Sequence, residues 1–237
     1  MTKKASRPNT TGRPDEYFAR GFEFYIDGRH GTFCGQVQAS AYLFHLAVEL
    51  MFKAVLLSPA YEEAMKCIDA ERDALVAKLG LAVVNADPDK VRIDAAVGDA
   101  CLDPYRKKEL ELKDVFVHRL VPLWRAAKTQ LGKPELDKFD SVVNKVSEWE
   151  GFRYPGFVHS RGNVITFSPF KVQRAKGRSR DLVNRYDVNR EEIDELVAGL
   201  LTTGGYSPAW IQMRVARGLG AGLDTYRRDN RHVMPGI

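Results

Sequence analysis

The sequence predicts an all-α protein, an antiparallel helical bundle with an inserted helix/loop region and a C-terminal helical extension. Three observations carry that expectation. Six or seven stretches repeat apolar residues at helical spacing, with little of the strict alternation that strands show. The stretch from Ala39 to Leu57 is apolar on nearly every face, as the central member of a bundle is. Helix stops such as Gly28, Ser58-Pro59, Gly80, Gly132 and Gly204-Gly205 divide the chain into helix-length pieces.

In chain order, residues 1–13 read as a disordered basic arm, after which Tyr17, Phe18, Phe22 and Tyr25 begin the first helical period. Gly28 is its expected stop. The central helix starts after Gly35 and is expected to end at Ser58-Pro59, because the residue before a proline is pushed out of helical geometry. Residues 60–79 form a surface-facing helix in which Glu62, Glu63 and Glu71 alternate with Met65, Ile68, Leu75 and Leu79. Residues 84–113 show no clean period, and Asp87-Pro88-Asp89 and Asp103-Pro104 read as turns, so the span is taken as an insertion. Leu120, Leu123, Trp124 and Ala127 define the next helix, with Pro122 tolerated in its first turn. Leu136, Phe139, Val142, Val143 and Val146 define another. It runs from Glu135 to about Trp149 and stops before Gly151 and the Arg153-Tyr154-Pro155-Gly156 turn. Residues 163–170 alternate weakly and fit a short strand. Asn189 caps a helix with Glu192 in the capping-box position, and a last helix begins at Pro208. The chain thus divides into the arm at 1–13, a bundle over 14–160, and a basic loop with two helices over 161–237. Two helices are too few to bury a core alone, so these are expected to pack on the bundle.

A chain of 237 residues with 44% hydrophobic and 28% charged residues has ordinary globular composition. Cys34, Cys67 and Cys101 are sparse, odd in number and form no CxxC pair, which predicts reduced thiols, no structural zinc and a cytoplasmic setting. The basic N-terminus has no apolar run behind it and does not read as a secretory signal. His45, Glu49 and Lys53 interrupt the longest apolar run, which argues against a membrane span. The net charge of +5 is unevenly placed. Residues 161–190 hold eight cations (among them Lys171, Arg174, Lys176, Arg178 and Arg180) against two acids, while the chain outside this segment and the arm is net acidic. Such a segment is either a phosphate-binding surface or a solvated stretch.

His45, Glu49 and Lys53 are four residues apart and share one helix face. On so apolar a helix they form either an internal Glu49–Lys53 pair with His45 beside it, or a polar stripe lining a site between helices. No phosphate-binding glycine loop, nucleophile elbow or zinc-protease motif occurs, and no cofactor is implied.

The segment from Ala39 to Leu57, with Ala-Val-Glu49, three residues and Lys53, resembles the signature helix of HEPN domains. Val117-His118-Arg119-Leu120 resembles that family's His-x-Leu helix start, and Phe152-Arg153-Tyr154-Pro155 resembles its Arg-Tyr-Pro turn. The resemblance implies a four-to-five-helix bundle, commonly dimeric, of the kind found as metal-independent ribonucleases or as nucleotide-associated partners in toxin–antitoxin and antiviral systems. Its catalytic motif is Arg followed, after four to six residues, by His. Arg153 and His159 fit that spacing, as do Arg227 and His232, and in a chain this rich in arginine spacing alone does not choose between them. Tyr154-Pro155 after Arg153 departs from the catalytic pattern, where a polar residue follows the arginine. The expected function is therefore a non-catalytic module binding RNA, a nucleotide or a protein partner. The alternatives are an endoribonuclease using Arg153 and His159 across a homodimer, and a purely protein-interacting regulatory subunit.

Overall fold

The computed structural model describes residues 12–33, 36–78, 93–116, 118–153, 167–168 and 188–214. Helix α1 (Pro14–Phe33) opens with proline at its first position, where the missing N–H has no helical partner to lose. Glu16 reaches back to accept the Arg13 backbone N–H at 3.0 Å, one half of a capping box. The helix runs through Gly28, the expected stop. The reason is close approach, since a Cβ at Gly28 would meet the Phe44 ring at 3.0 Å and one at Gly21 would meet the Ala47 carbonyl at 2.9 Å. These two glycines mark where α1 lies against α2. Because Gly21 faces Ala47 and Gly28 faces Phe44, the two helices run antiparallel.

Helix α2 (Val37–Lys78) is a single 42-residue helix. The expected break at Ser58-Pro59 does not occur. A proline inside a helix removes one i→i−4 hydrogen bond, here the bond to the Val55 carbonyl. That carbonyl instead accepts a hydrogen bond from the Gln130 side-chain amide at 2.5 Å. The interruption is repaired from another helix, and α2 continues. In its first half Ala41, Phe44, Ala47, Val48, Met51, Phe52 and Ala54 are all fully buried. By length and composition α2 contains one window apolar enough to cross a membrane, and 72% of that window is buried inside the fold.

Helix α3 (Ala95–Phe116) occupies much of the span read as an insertion and passes through Asp103-Pro104, the expected turn, without a break. It runs antiparallel to the outer half of α2, with Tyr105 edge-on to Tyr61 and Cys101 opposite Cys67. The two cysteines are joined in a disulfide with a Cα–Cα distance of 5.7 Å. The expected reduced thiols are thereby corrected for this pair. Cysteines 34 residues apart in sequence are brought together by helix pairing, which no spacing rule could show. Tyr17 Oη donates to Glu109 at 2.7 Å and Tyr105 Oη donates to the Gly12 carbonyl, tying α3 to the start of α1.

Helix α4 (Leu120–Leu131) buries Leu120, Leu123, Trp124 and Ala127 and ends on Gly132, whose φ of +60° is the left-handed cap that glycine adopts at no steric cost. Trp124 stacks on Phe52, with ring centroids 5.0 Å apart. A 3-10 turn (Pro134–Phe139) leads into α5 (Asp140–Ser147), which buries Val142, Val143 and Val146, and a second 3-10 turn (Glu148–Arg153) follows. Asp140 accepts from Trp124 Nε1 at 2.6 Å and from Lys128, and these bonds, Lys128 first, hold its carboxyl below the usual range. Residues Phe167–Ser168 and Val188–Asn189 pair in parallel over two residues. Helix α6 (Arg190–Thr203) lays Ile193, Leu196, Val197, Leu200 and Leu201 on the core, and Tyr25 of α1 donates to Asp194 at 2.7 Å. After the Gly204-Gly205 turn, helix α7, described over 208–214, brings the Trp210 ring back to Phe22 with centroids 5.7 Å apart. The described residues are thus an all-α fold around α2.

Candidate functional site

The polar residues of α2 meet at one carboxylate. Glu49 is 2% exposed and sits one turn after His45 and one turn before Lys53. Lys53 Nζ donates to Oε1 at 2.5 Å. From the connection between α3 and α4, His118 brings Nδ1 to 3.2 Å from Oε1 and 3.0 Å from Oε2. Burial alone would push the Glu49 carboxyl up, but Lys53 and His118 outweigh it and hold the group below its ordinary value. An ionised Glu49 only accepts, so His118 carries its proton on Nδ1 and donates it.

His45 is fully buried on the other side of Glu49. Its Nδ1 donates to the Val146 carbonyl of α5 at 3.1 Å, and its ring stacks on Tyr42. Nε2 has no hydrogen-bond partner and lies 3.7 Å from Glu49 Oε2. Burial drives the imidazole below its ordinary value, against the smaller opposite pulls of the Val146 carbonyl and Glu49. His45 is therefore held neutral, with a lone pair turned towards a carboxylate oxygen.

His118 is the only non-glycine residue with positive φ among those described, at 59°. Histidine visits that region more readily than most residues, yet it costs on the order of 1 kcal/mol or more. The strain buys the Glu49 contact, since it turns the chain from α3 into α4 with the ring facing α2. Next to it, Arg119 is exposed, and no side chain caps the start of α4. Glu49, Lys53 and His45 form an internal network, while His118, whose side chain is 40% exposed, reaches solvent.

Of the residues anticipated from sequence, His45, Glu49 and Lys53 are brought together. Arg153 is placed by its backbone at the end of the second 3-10 turn, and its side chain lies outside the described residues. His159, Lys171, Arg174, Lys176, Arg178 and Arg180 also lie outside them, as do Arg227 and His232. Sequence reasoning placed His118 at a helix start and missed its bond to Glu49. The available signal was that Glu49 and His118 both fall in motifs that carry the family resemblance. Among the described residues no group of three or more His, Cys, Asp or Glu could hold a metal ion.

Away from this network, a concavity of about 450 Å³ lies between the start of α1, the middle of α2 and the Gly204-Gly205 turn, with Phe18 and Tyr61 in its lining. Three of its polar side chains are engaged by near neighbours: Arg13 by Asp15 and Glu16, Ser58 by the Ala54 carbonyl, and Thr203 by the Gly199 carbonyl. No family model, curated protein or solved structure matches the chain, so the functional reading rests on these residues themselves.

Proposed function

We propose that this protein is a non-catalytic HEPN-like helical module that binds RNA through its basic 161–190 segment. The observation that carries the reading is a division of charge. The buried polar stripe is consumed internally, with both Glu49 oxygens taken by Lys53 and His118. The cationic excess lies elsewhere, eight Lys and Arg against two acids within thirty residues. A scaffold whose buried charges pair with one another and whose cationic excess is concentrated in one segment of the sequence suits polyanion binding better than chemistry. The Tyr-Pro that follows Arg153 supports the same side, because it departs from the catalytic pattern of the family that the central helix resembles. A place in a toxin–antitoxin or antiviral system, as a homodimer, is the biological setting that accompanies this proposal.

The test is a salt titration of affinity for single-stranded RNA, followed by fluorescence anisotropy. Each phosphate contact contributes about −0.7 to the slope of log affinity against log salt. Replacing Arg174, Lys176, Arg178 and Arg180 by Ala should flatten the slope by roughly 2–3. An affinity indifferent to salt would reject the reading and leave a protein-interacting subunit in its place.

A further inference from the structure

We propose that the Cys67–Cys101 disulfide is a thiol-operated clasp, whose reduction frees α3 from the outer half of α2 while the inner bundle stays folded. Three observations carry this. The first is access. Cys101 is 6% exposed, whereas Cys67 is an exposed residue, so a thiol in solution meets the bond from the Cys67 side. Disulfides that solution thiols can reach are the exchangeable ones. The second is position. The Tyr61–Tyr105 contact and the buried Leu112 lie on the bundle side of the bond. Outward of it, no described side chain of 68–78 or of 95–100 is buried. Ile68, Leu75 and Val76 share one face of α2 and are only partly covered. The bond is therefore the outermost firm crossing of the pair. The third is independence from the core. The Glu49 network is closed by His45, Lys53 and His118 and takes no group from 60–113. The hydrogen bonds that hold α3 to α1, Tyr17 to Glu109 and Tyr105 to the Gly12 carbonyl, sit in the C-terminal half of α3 and do not fasten it to the outer part of α2.

Opening is a thiol–disulfide exchange with a thiol compound as the reductant. A thiolate attacks Cys67 Sγ, and as the new sulfur–sulfur bond forms, the bond to Cys101 breaks. Cys101 leaves as a thiolate and takes a proton from water. A second thiolate attacks the mixed disulfide at the reductant's sulfur, which releases the oxidised reductant and the Cys67 thiolate, protonated in turn. Two electrons pass from two reducing thiols to the protein pair. Little then resists separation. The ion pairs of this region, such as Lys66–Glu63, Arg72–Asp69 and Arg106–Asp99, each lie within one helix and cannot bridge the two. Losing a crosslink of this kind raises the open population by about thirty-fold or more. Opening uncovers the Ile68, Leu75 and Val76 stripe, so the supply of thiols selects between two surfaces of the same chain.

The experiment equilibrates the full chain, without denaturant, in graded ratios of reduced to oxidised glutathione. Alkylation and peptide mass mapping follow Cys67 and Cys101, brief trypsin digestion maps opening, and tryptophan fluorescence reports the inner bundle through the buried Trp124 and Trp149. Reduction should free both thiols in the native protein and raise cleavage after Lys66, Arg72, Arg106 and Lys108 by about thirty-fold, with tryptophan emission unchanged. Oxidised glutathione should restore the original cleavage pattern. Cys67→Ser/Cys101→Ser should be cut like the reduced chain at every ratio; the wild-type chain decides the matter by itself should that variant not fold. Three results would overturn the proposal: thiols that never pair under oxidising conditions, a bond that opens only as tryptophan emission collapses, or reduction that leaves the cleavage pattern as it was.

Discussion

The two halves of α2 are one helix by hydrogen bonding and two different objects by physics. Between Ser40 and Leu57 the helix is buried on nearly every face, and the charged groups it carries are paired through Glu49. Beyond Pro59, Ala64 is the only fully sequestered residue, and the helix is mostly exposed. What attaches the outer half is α3, through the Tyr61–Tyr105 contact and the Cys67–Cys101 bond. The inner half is secured by burial and by a polar network that would be costly to leave incomplete. The outer half is secured by a covalent link and one-sided packing. The lesson is that continuity of a helix says little about how its stability is distributed.

Several substitutions would break that contrast if it is wrong. The largest effect is expected from Glu49→Ala, which strands Lys53 and leaves His118 strained without its partner. A loss of about 3–5 kcal/mol is typical when one member of a buried charged set is removed. Urea denaturation checks it, and a loss below about 1 kcal/mol would mean the network is incidental. Reducing the disulfide, or Cys101→Ala, should cost about 2–4 kcal/mol. The distinguishing readout is hydrogen exchange, with protection lost over 60–78 and 95–112 and retained over 40–57. Uniform loss would show that the two halves open together. Gln130→Ala removes the partner of the Val55 carbonyl at the junction and should cost about 1 kcal/mol, whereas an exposed neighbour such as Thr129→Ala should be near neutral.

Acidification gives the smallest effect and belongs to the inner half alone. The His45 value is depressed from 6.5, so its contribution is complete above that pH and is lost as pH falls through the folded value. The Glu49 value is depressed from 4.5, so its contribution is likewise present above 4.5 and lost on further acidification. Both act in the same direction, and the wild-type melting temperature should fall below pH 6.5 in a step that His45→Gln reduces. A profile unchanged in that variant would place the acid sensitivity elsewhere.

The central helix was legible because apolar residues on every face leave no other arrangement, and the i, i+4 spacing of His45, Glu49 and Lys53 fixes their common side. Most of the later misreadings come from partners distant in sequence. Gly28 and Pro59 are helix breakers by local rules, and each is overridden by a residue distant in sequence: the Phe44 ring at one, the Gln130 amide at the other. Helix α3 hid because its described side chains bury one narrow stripe, Cys101, Tyr105, Glu109 and Leu112, and because it carries a proline. The disulfide was invisible until α2 and α3 lay side by side. His118 was read as a helix start, and nothing local indicates that its ring turns back to an acid 69 residues earlier.

Pro59 and Gln130 also have a consequence for how this sequence can change. Each is tolerable because of the other: the proline frees a carbonyl, and the glutamine answers it. Pro59→Ala would restore the helical N–H and release position 130 from its duty, after which Gln130→Leu should cost little, although the same change is harmful while Pro59 remains. The order in which the two positions mutate therefore matters. Across any lineage that carries this fold, residues 59 and 130 are expected to drift as a pair, a signature of epistasis that two surface positions would not leave.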